Sequence, residues 1–175
     1  VNVSGNTILQ GPVTTSSSID IVGNTTVKAN LNISGNSTLN GPITAISSFN
    51  ISGNTTLQGP IIAVSSLSVS GYSVLLGPIT NSSTVDVIGN TTVKANLNIS
   101  GTSTLNGAVT LISSMNISGN TLLNGPVTAV SSLNVSGNSI LQGPVTNSSS
   151  VDILGNTTIK SNLNISGNST LNGQV

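Results

Sequence analysis

The sequence predicts an all-β fold, a parallel β-solenoid, and three observations lead to this prediction. Every glycine stands at a position of the form 6n + 5, and every proline stands at a position of the form 6n. Between these turn residues, apolar and polar residues alternate, as expected for strands. Only 3% of the residues are charged, whereas ordinary globular domains carry about a quarter.

The six-residue period runs through the whole chain without an insertion or deletion. The 175 residues form 29 hexads followed by one residue, and each hexad is numbered here from slot 1 to slot 6, with Val1 in slot 1. Slots 5 and 6 carry residues that favour turns, so slots 1 to 4 are predicted to form a short strand. A helix is not predicted, because spacings of two and six residues fit no stripe of period 3.6.

Three kinds of hexad follow one another and predict which side chains face the core. LNISGN, STLNGP and ITAISS are consecutive examples, running from Leu31 to Ser48. Because side chains alternate along a strand, slots 1 and 3 share one face, and we expect them to be buried. Slots 2 and 4 then face outward.

STLNGP, from Ser37 to Pro42, shows the pattern small–x–aliphatic–polar–x–x and resembles the hexapeptide repeat of left-handed parallel β-helices. The resemblance covers the whole chain. It implies a triangular, left-handed prism with about three hexads per coil, about ten coils and a rod about 45 to 50 Å long. The large slot-1 residues Leu31, Phe49 and Leu97 depart from the pattern and favour a roomier core. In these phrases with a large slot-1 residue, the chain is similar to bactofilin-like solenoids and trimeric viral fibre shafts. The handedness of the solenoid and the number of chains in the rod therefore stay open.

A period of 66 residues, or eleven hexads, lies above the period of six. TTVKANLNISG begins at Thr25 and Thr91, and TTIKSNLNISG begins at Thr157. Residues 1–175 are therefore predicted to form one uninterrupted solenoid of 66-residue units. Each unit has three triplets of hexads and one pair, so in a strict prism, which we favour, equivalent residues rotate by one side per unit. The alternative is a short coil at each pair, which would leave nothing stacked on polar hexads such as ITNSST.

The residue types argue against an enzyme. Hexapeptide-repeat acyltransferases need a general base, usually histidine, and an excursion loop, whereas this chain has no histidine and an unbroken period. We expect no catalysis, no cofactor and no metal, and we interpret the charged residues as surface charges or register-setting contacts. No apolar run approaches the roughly 18 residues of a membrane span, and no basic stripe for nucleic acid is present. The charged residues are Asp20, Asp86, Asp152, Lys28, Lys94 and Lys160.

Sequons for N-glycosylation occur in slot 2 and slot 6. In slot 2 we expect an outward polar ladder instead, because glycans on coils about 4.8 Å apart would collide. If N-glycans are partners, the expected sites are the slot-6 residues Asn24, Asn90 and Asn156, whose neighbours one coil away are not sequons. Asn36 and Asn54, by contrast, are both sequons and stack on one another. The slot-2 asparagines include Asn32, Asn50, Asn98 and Asn116.

Aliphatic residues recur in slot 4, which should face outward. Recurrence at fixed places is typical of an interface, and we expect lateral contacts between copies of the chain. The alternative is a local shift of register that buries these side chains. The candidate lateral-contact residues are Val22, Ile46, Val64, Ile88, Ile112, Val130 and Leu154.

Both ends of the sequence look like interior repeats rather than polar caps. We therefore expect a longer array or end-to-end stacking. The predicted function is that of a structural subunit or segment of an extracellular or cell-surface filament, which acts by self-association. Its rival is a binding module, either a receptor-directed viral fibre shaft or an ice-binding solenoid.

The ice-binding hypothesis is based on slot-2 threonines such as Thr26, Thr38 and Thr56, because ice-binding faces are flat and regular. Aliphatic residues in the same slot argue against it. These residues are Ile8, Val74, Leu122 and Ile140.

Overall fold

The computed structural model of the chain describes residues 2–16 and 19–175, and these residues form short strands and no helix. No helix in this part of the chain could therefore span a membrane. The first strands are β1 (Asn2–Val3), β2 (Thr7–Leu9), β3 (Val13–Thr15), β4 (Ile19–Ile21), β5 (Thr25–Val27), β6 (Leu31–Ile33), β7 (Ser37–Leu39), β8 (Ile43–Ala45), β9 (Phe49–Ile51), β10 (Thr55–Leu57), β11 (Ile61–Ala63), β12 (Ser66–Val69), β13 (Ser73–Leu75), β14 (Ile79–Asn81) and β15 (Thr84–Val87). The others are β16 (Thr91–Val93), β17 (Leu97–Ile99), β18 (Ser103–Leu105), β19 (Val109–Leu111), β20 (Met115–Ile117), β21 (Thr121–Leu123), β22 (Val127–Ala129), β23 (Leu133–Val135), β24 (Ser139–Leu141), β25 (Val145–Asn147), β26 (Val151–Ile153), β27 (Thr157–Ile159), β28 (Leu163–Ile165) and β29 (Ser169–Leu171).

The strands wind into three parallel sheets, because each strand pairs with the strand three places further along the chain. Face A runs from β1 to β28, face B from β2 to β29, and face C from β3 to β27. Paired residues are eighteen apart, as where Thr55 pairs with Ser37 and with Ser73. The predicted triangular solenoid with three hexads per coil is confirmed. The turns after the strands of faces A, B and C form edges AB, BC and CA.

The core lies inside the three sheets and confirms the predicted register. The slot-1 and slot-3 residues interlock along the axis of the rod. Representative residues from all three faces expose 2% or less of their surface: Leu39, Ile51, Leu57, Val93 and Ile117.

The large slot-1 residues are accommodated within each coil. The coil that holds the fully buried Phe49 also holds Thr55 in slot 1 and Ala63 in slot 3. Likewise, the coil that holds Leu31 contains Ala45. Away from the truncated pairs, each coil combines one hexad of each kind, so a large slot-1 residue shares its coil with small core residues. In these coils the small residues leave room for the large slot-1 side chain.

The 66-residue units follow the strict prism. Asp20 lies on face A in β4, Asp86 on face C in β15, and Asp152 on face B in β26. Successive units are thus related by a rotation of one side and a rise of about 18 Å. The alternative of a short coil at each pair is wrong, since the eighteen-residue register continues through it. Asn81 in the hexad ITNSST is fully buried and pairs with Ile99 of the next coil.

Close stacking of the edges explains the glycines in slot 5. A Cβ added to Gly59 would lie 2.3 Å from the carbonyl oxygen of Gly41 in the neighbouring coil. A left-handed backbone is not the reason, because among the described residues only Gly5 has a positive φ, of 89°. Edge CA carries glycine in seven successive coils, from Gly35 to Gly143. On edges AB and BC, slot-5 serine and alanine residues likewise stack on one another over several successive coils.

Candidate interaction surfaces

The slot-2 asparagines form hydrogen-bonded ladders on two faces, as predicted. On face C, Asn50 Nδ2 donates to Asn32 Oδ1 over 2.7 Å. On face B, Asn116 Nδ2 donates to Asn98 Oδ1 at 2.8 Å, and Asn134 Nδ2 donates to Asn116 Oδ1 at 2.7 Å. The amide nitrogens that a glycan would modify are thus engaged between coils, which favours a structural role for these asparagines.

The slot-6 asparagines satisfy backbone donors at the edges. Asn90 Oδ1 accepts from the Ala108 backbone N–H at 3.1 Å, and Asn156 Oδ1 accepts from that of Gln174 at 3.0 Å. Above Asn24 stands Pro42, which has no N–H, so Asn24 has no such donor to accept from. All three predicted glycan sites are exposed, and each lies on a different edge. The Nδ2 atoms of these three asparagines take no part in these hydrogen bonds at the edges.

The predicted lateral-contact residues all point outward. They expose between 44% (Val64) and 59% (Val22) of their surface, so the alternative of a local register shift that buries them is wrong. They do not form one stripe, because the 66-residue rotation distributes them over three edges. Edge AB holds Val22, Ile112 and Val130, edge BC holds Ile46, Val64 and Leu154, and edge CA holds Ile88.

The charged residues occupy opposite sides of the prism. Asp20 lies on face A, whereas Lys28 follows β5 on edge BC, the edge across the core from face A. The same relation holds between Asp86 on face C and Lys94 on edge AB. Since eight residues correspond to less than half a coil, each aspartate and its lysine lie at nearly the same height, roughly 2 Å apart along the axis. A register-setting contact between these residues within one chain is therefore not formed.

A shallow groove of about 460 Å³ runs along face A next to edge CA. Its floor includes the slot-2 residues Asp20, Thr38 and Thr56, and its upper end is bounded by Tyr72. Tyr72 is the only tyrosine of the chain and exposes 56% of its surface. The groove thus carries a carboxylate at one end, hydroxyl groups along its length and an aromatic ring at the other end.

Two of the aspartates have an incompletely satisfied carboxylate. Asp86 Oδ1 and Asp152 Oδ1 are buried without a hydrogen-bond partner among the described residues, while both side chains are half-buried. Asp86 stacks between Ser68 and Thr104 in the slot-2 column of face C. A buried acceptor without a donor is costly. Because Oδ1 itself is out of reach from outside, a cation approaching the face would stabilise each carboxylate through its other oxygen.

Face A also carries a regular row of slot-2 threonines. The residues are stacked in register on consecutive coils, and the one exception, valine, has the same shape as threonine. Most of the aliphatic residues that interrupt slot 2 in the sequence lie on other faces: Ile8 is on face B, Leu122 and Ile140 are on face C, and only Val74 is on face A. The row consists of Thr38, Thr56, Val74, Thr92, Thr110, Thr128 and Thr146.

Two buried asparagines were not predicted. Asn147 Nδ2 donates to the Ser131 carbonyl at 2.8 Å, and its Oδ1 accepts from the Ser149 N–H at 2.7 Å. Asn81 makes the same pair of hydrogen bonds one unit earlier. Their slot-3 position and 66-residue spacing were the available signals. These residues satisfy turn backbone groups inside the rod and have a structural role.

The described residues contain no group of three or more histidine, cysteine, aspartate or glutamate side chains that could hold a metal ion. No model of a known protein family, no curated protein and no solved structure matches this chain.

Proposed function

We propose that the chain is a structural rod, a subunit or segment of an extracellular or cell-surface filament that acts by self-association. The observation that carries this proposal is the rotation of the 66-residue units around the prism. Asp20, Asp86 and Asp152 occupy three different faces, and the exposed slot-4 aliphatics occupy three edges. A rod with equivalent surfaces on all sides can contact several neighbours at once, as a fibre component must.

We also propose a handedness and a repeat type for the rod, and N-glycans as its partners. Small inward residues such as Ser37 and Ser103 in slot 1 support a left-handed solenoid of the hexapeptide-repeat type. The nearly uncharged surface supports N-glycans as partners, since sugars would hydrate a rod with only three positive and three negative side chains. We propose no enzymatic activity and no cofactor.

Negative-stain electron microscopy of the purified chain tests the proposed function. We expect filaments or bundles whose length exceeds the roughly 45 to 50 Å of one chain. Isolated short rods at every concentration would contradict the proposal.

Ice binding is the second candidate, and the threonine row of face A favours it. In that row, methyl groups repeat about every 4.8 Å, and every residue except Val74 also carries a hydroxyl group. A thermal-hysteresis assay separates the two functions. If the row binds ice, replacing Thr110 and Thr128 by lysine should abolish hysteresis, whereas the same replacement of Thr44 and Thr80 on face B should not.

A further inference from the structure

We propose that copies of this chain pack side by side, parallel and in register, with an edge of one copy seated in the face groove of the next. This inference rests on the proposed self-association and specifies its geometry. The edge ridge is defined by Lys28, Ile46 and Val64, which occupy slot 4 of three successive coils on edge BC. The groove is the one on face A.

Shape supports this pairing. In a triangular prism, edge BC points away from face A, so two prisms of the same orientation place the edge of one against the face of the other. The ridge is convex and exposed, with Ile46 and Val64 at 46% and 44% exposure. The groove is concave and of similar length, since it extends over β4, β7, β10 and β13.

The positions of the ridge and groove residues along the rod axis also support this pairing. Each ridge residue follows a groove residue by eight positions: Lys28 follows Asp20, and Ile46 follows Thr38. In parallel copies without axial offset, these pairs therefore meet within roughly 2 Å of the same height. Antiparallel copies would reverse the order and bring the lysine to a threonine instead.

Charge complementarity selects a second copy of this chain as the occupant. The ammonium group of Lys28 would meet the carboxylate of Asp20, while the aliphatic side chains would cover threonine methyl groups. Asp86, whose Oδ1 has no hydrogen-bond partner, would receive Lys94 in the same way. A charge pair of this kind disfavours other alignments of the two copies and so fixes the register of the contact.

The 66-residue rotation repeats the contact in three directions. Face C, with Asp86, Thr104 and Leu122, lies opposite edge AB, with Lys94 and Ile112. Asp152 on face B likewise lies opposite Lys160 on edge CA. Each rod can therefore offer aspartate–lysine contacts to six parallel neighbours, with Leu122 in place of the second threonine on face C, and such contacts build a bundle without limit.

Zero-length crosslinking tests the packing directly. An equal mixture of ¹⁵N-labelled and unlabelled chain is treated with a water-soluble carbodiimide, which joins carboxylates to amines, and the peptides are analysed by mass spectrometry. We expect mixed-isotope crosslinks Asp20–Lys28, Asp86–Lys94 and Asp152–Lys160, because within one chain the core separates each pair. Crosslinks confined to other aspartate–lysine pairs would overturn the packing.

Charge variants provide a second test. One variant changes the three aspartates to lysine, and the other changes the three lysines to aspartate. We expect light scattering from bundles to fall at least tenfold for either variant alone and to recover in an equal mixture, provided that circular dichroism shows both folded. A variant with all six charges exchanged should bundle like the wild type.

The two proposals fail in different ways. If the wild-type chain never associates, the proposed function and this packing are both wrong. If the wild type associates but both single-charge variants bundle as well as it does, self-association stands and this packing is overturned. Single-cysteine variants serve where the charge variants do not fold, since the chain has no cysteine. An Ile46→Cys chain should form disulfides with Thr38→Cys but not with Thr44→Cys on face B, and equal yields with both would contradict the packing.

Discussion

At the scale of single residues, the contact between successive coils decides what each slot accepts. Slot 5 accepts glycine where an added Cβ would meet the backbone of the neighbouring coil, and slot 6 accepts asparagine where a backbone N–H needs an acceptor. Proline in slot 6 removes that N–H and needs no acceptor. The sequence predicted the location of these turn residues, but it did not show why glycine in particular is needed in slot 5. Only the stacking distance between coils shows the actual cause, because the atoms that meet are eighteen residues apart.

Replacing Gly59 by alanine should destabilise the rod. The new Cβ would lie 2.3 Å from the Gly41 carbonyl oxygen, so the coils must separate, at a cost of at least about 1–3 kcal/mol. Gly11→Ala is the matched control, since no atom lies within 4 Å of its added Cβ. Denaturant unfolding measures both variants. Equal midpoints for the two would contradict the stacking explanation.

Replacing Leu57 by aspartate should abolish folding. Leu57 exposes only 1% of its surface, and an unpaired carboxylate in this core would cost several kcal/mol, much of the 5–15 kcal/mol that stabilises a typical domain. Gln58→Asp, one position further on the exposed edge, should change stability by no more than about 0.5 kcal/mol. Circular dichroism melting curves compare them, and an unchanged curve for Leu57→Asp would show that the register is wrong.

At the scale of strands and ladders, the six-residue period predicted more of the structure than the residue types did. Strand positions, buried slots and the outward ladder followed from alternation alone, as Leu39 and Asn116 illustrate. The groove on face A did not follow, because Asp20, Thr38 and Tyr72 become neighbours only after the chain is wound at eighteen residues per coil. The lateral-contact residues were likewise identified one by one, while their distribution over three edges required the register.

Replacing Asn116 by aspartate should weaken the face B ladder. The change removes the donor to Asn98 and places a negative charge beside the ladder, and we expect a loss of about 1–2 kcal/mol. Asn116→Thr is the control, because threonine occupies slot 2 in many hexads and favours strands. Urea unfolding midpoints should rank wild type and Asn116→Thr above Asn116→Asp. A midpoint for Asn116→Asp at or above that of the wild type would contradict a contribution of the ladder.

At the scale of the whole molecule, the distribution of surface residues follows from two numbers: each unit has eleven hexads, and each coil has three. Because each coil has three hexads, hexads of the same kind stack on the same face. After each truncated pair, every kind of hexad continues on the next face of the prism. The sequence contained this rotation, since Asp20 and Asp86 stand 66 residues apart, but two ways of winding the pair were compatible with it. The continuous register of the strands decides between them.

Glycans, if present, should control bundling. The predicted sites Asn24, Asn90 and Asn156 are exposed on three different edges about 18 Å apart along the axis. Sugars there would hold neighbouring rods apart, so enzymatic removal should increase bundle width in micrographs. Intact-glycopeptide mass spectrometry identifies the occupied sites. Occupied Asn36 and Asn54 beside unmodified Asn24, Asn90 and Asn156 would show that crowding does not select the sites.

Sedimentation velocity over a concentration series tests most directly whether this chain is a self-associating rod. A self-associating rod should show a sedimentation coefficient that rises with concentration and falls again at high salt, since the contacts include exposed charge pairs. A single coefficient of an elongated 17.3 kDa monomer at every concentration and salt would contradict it.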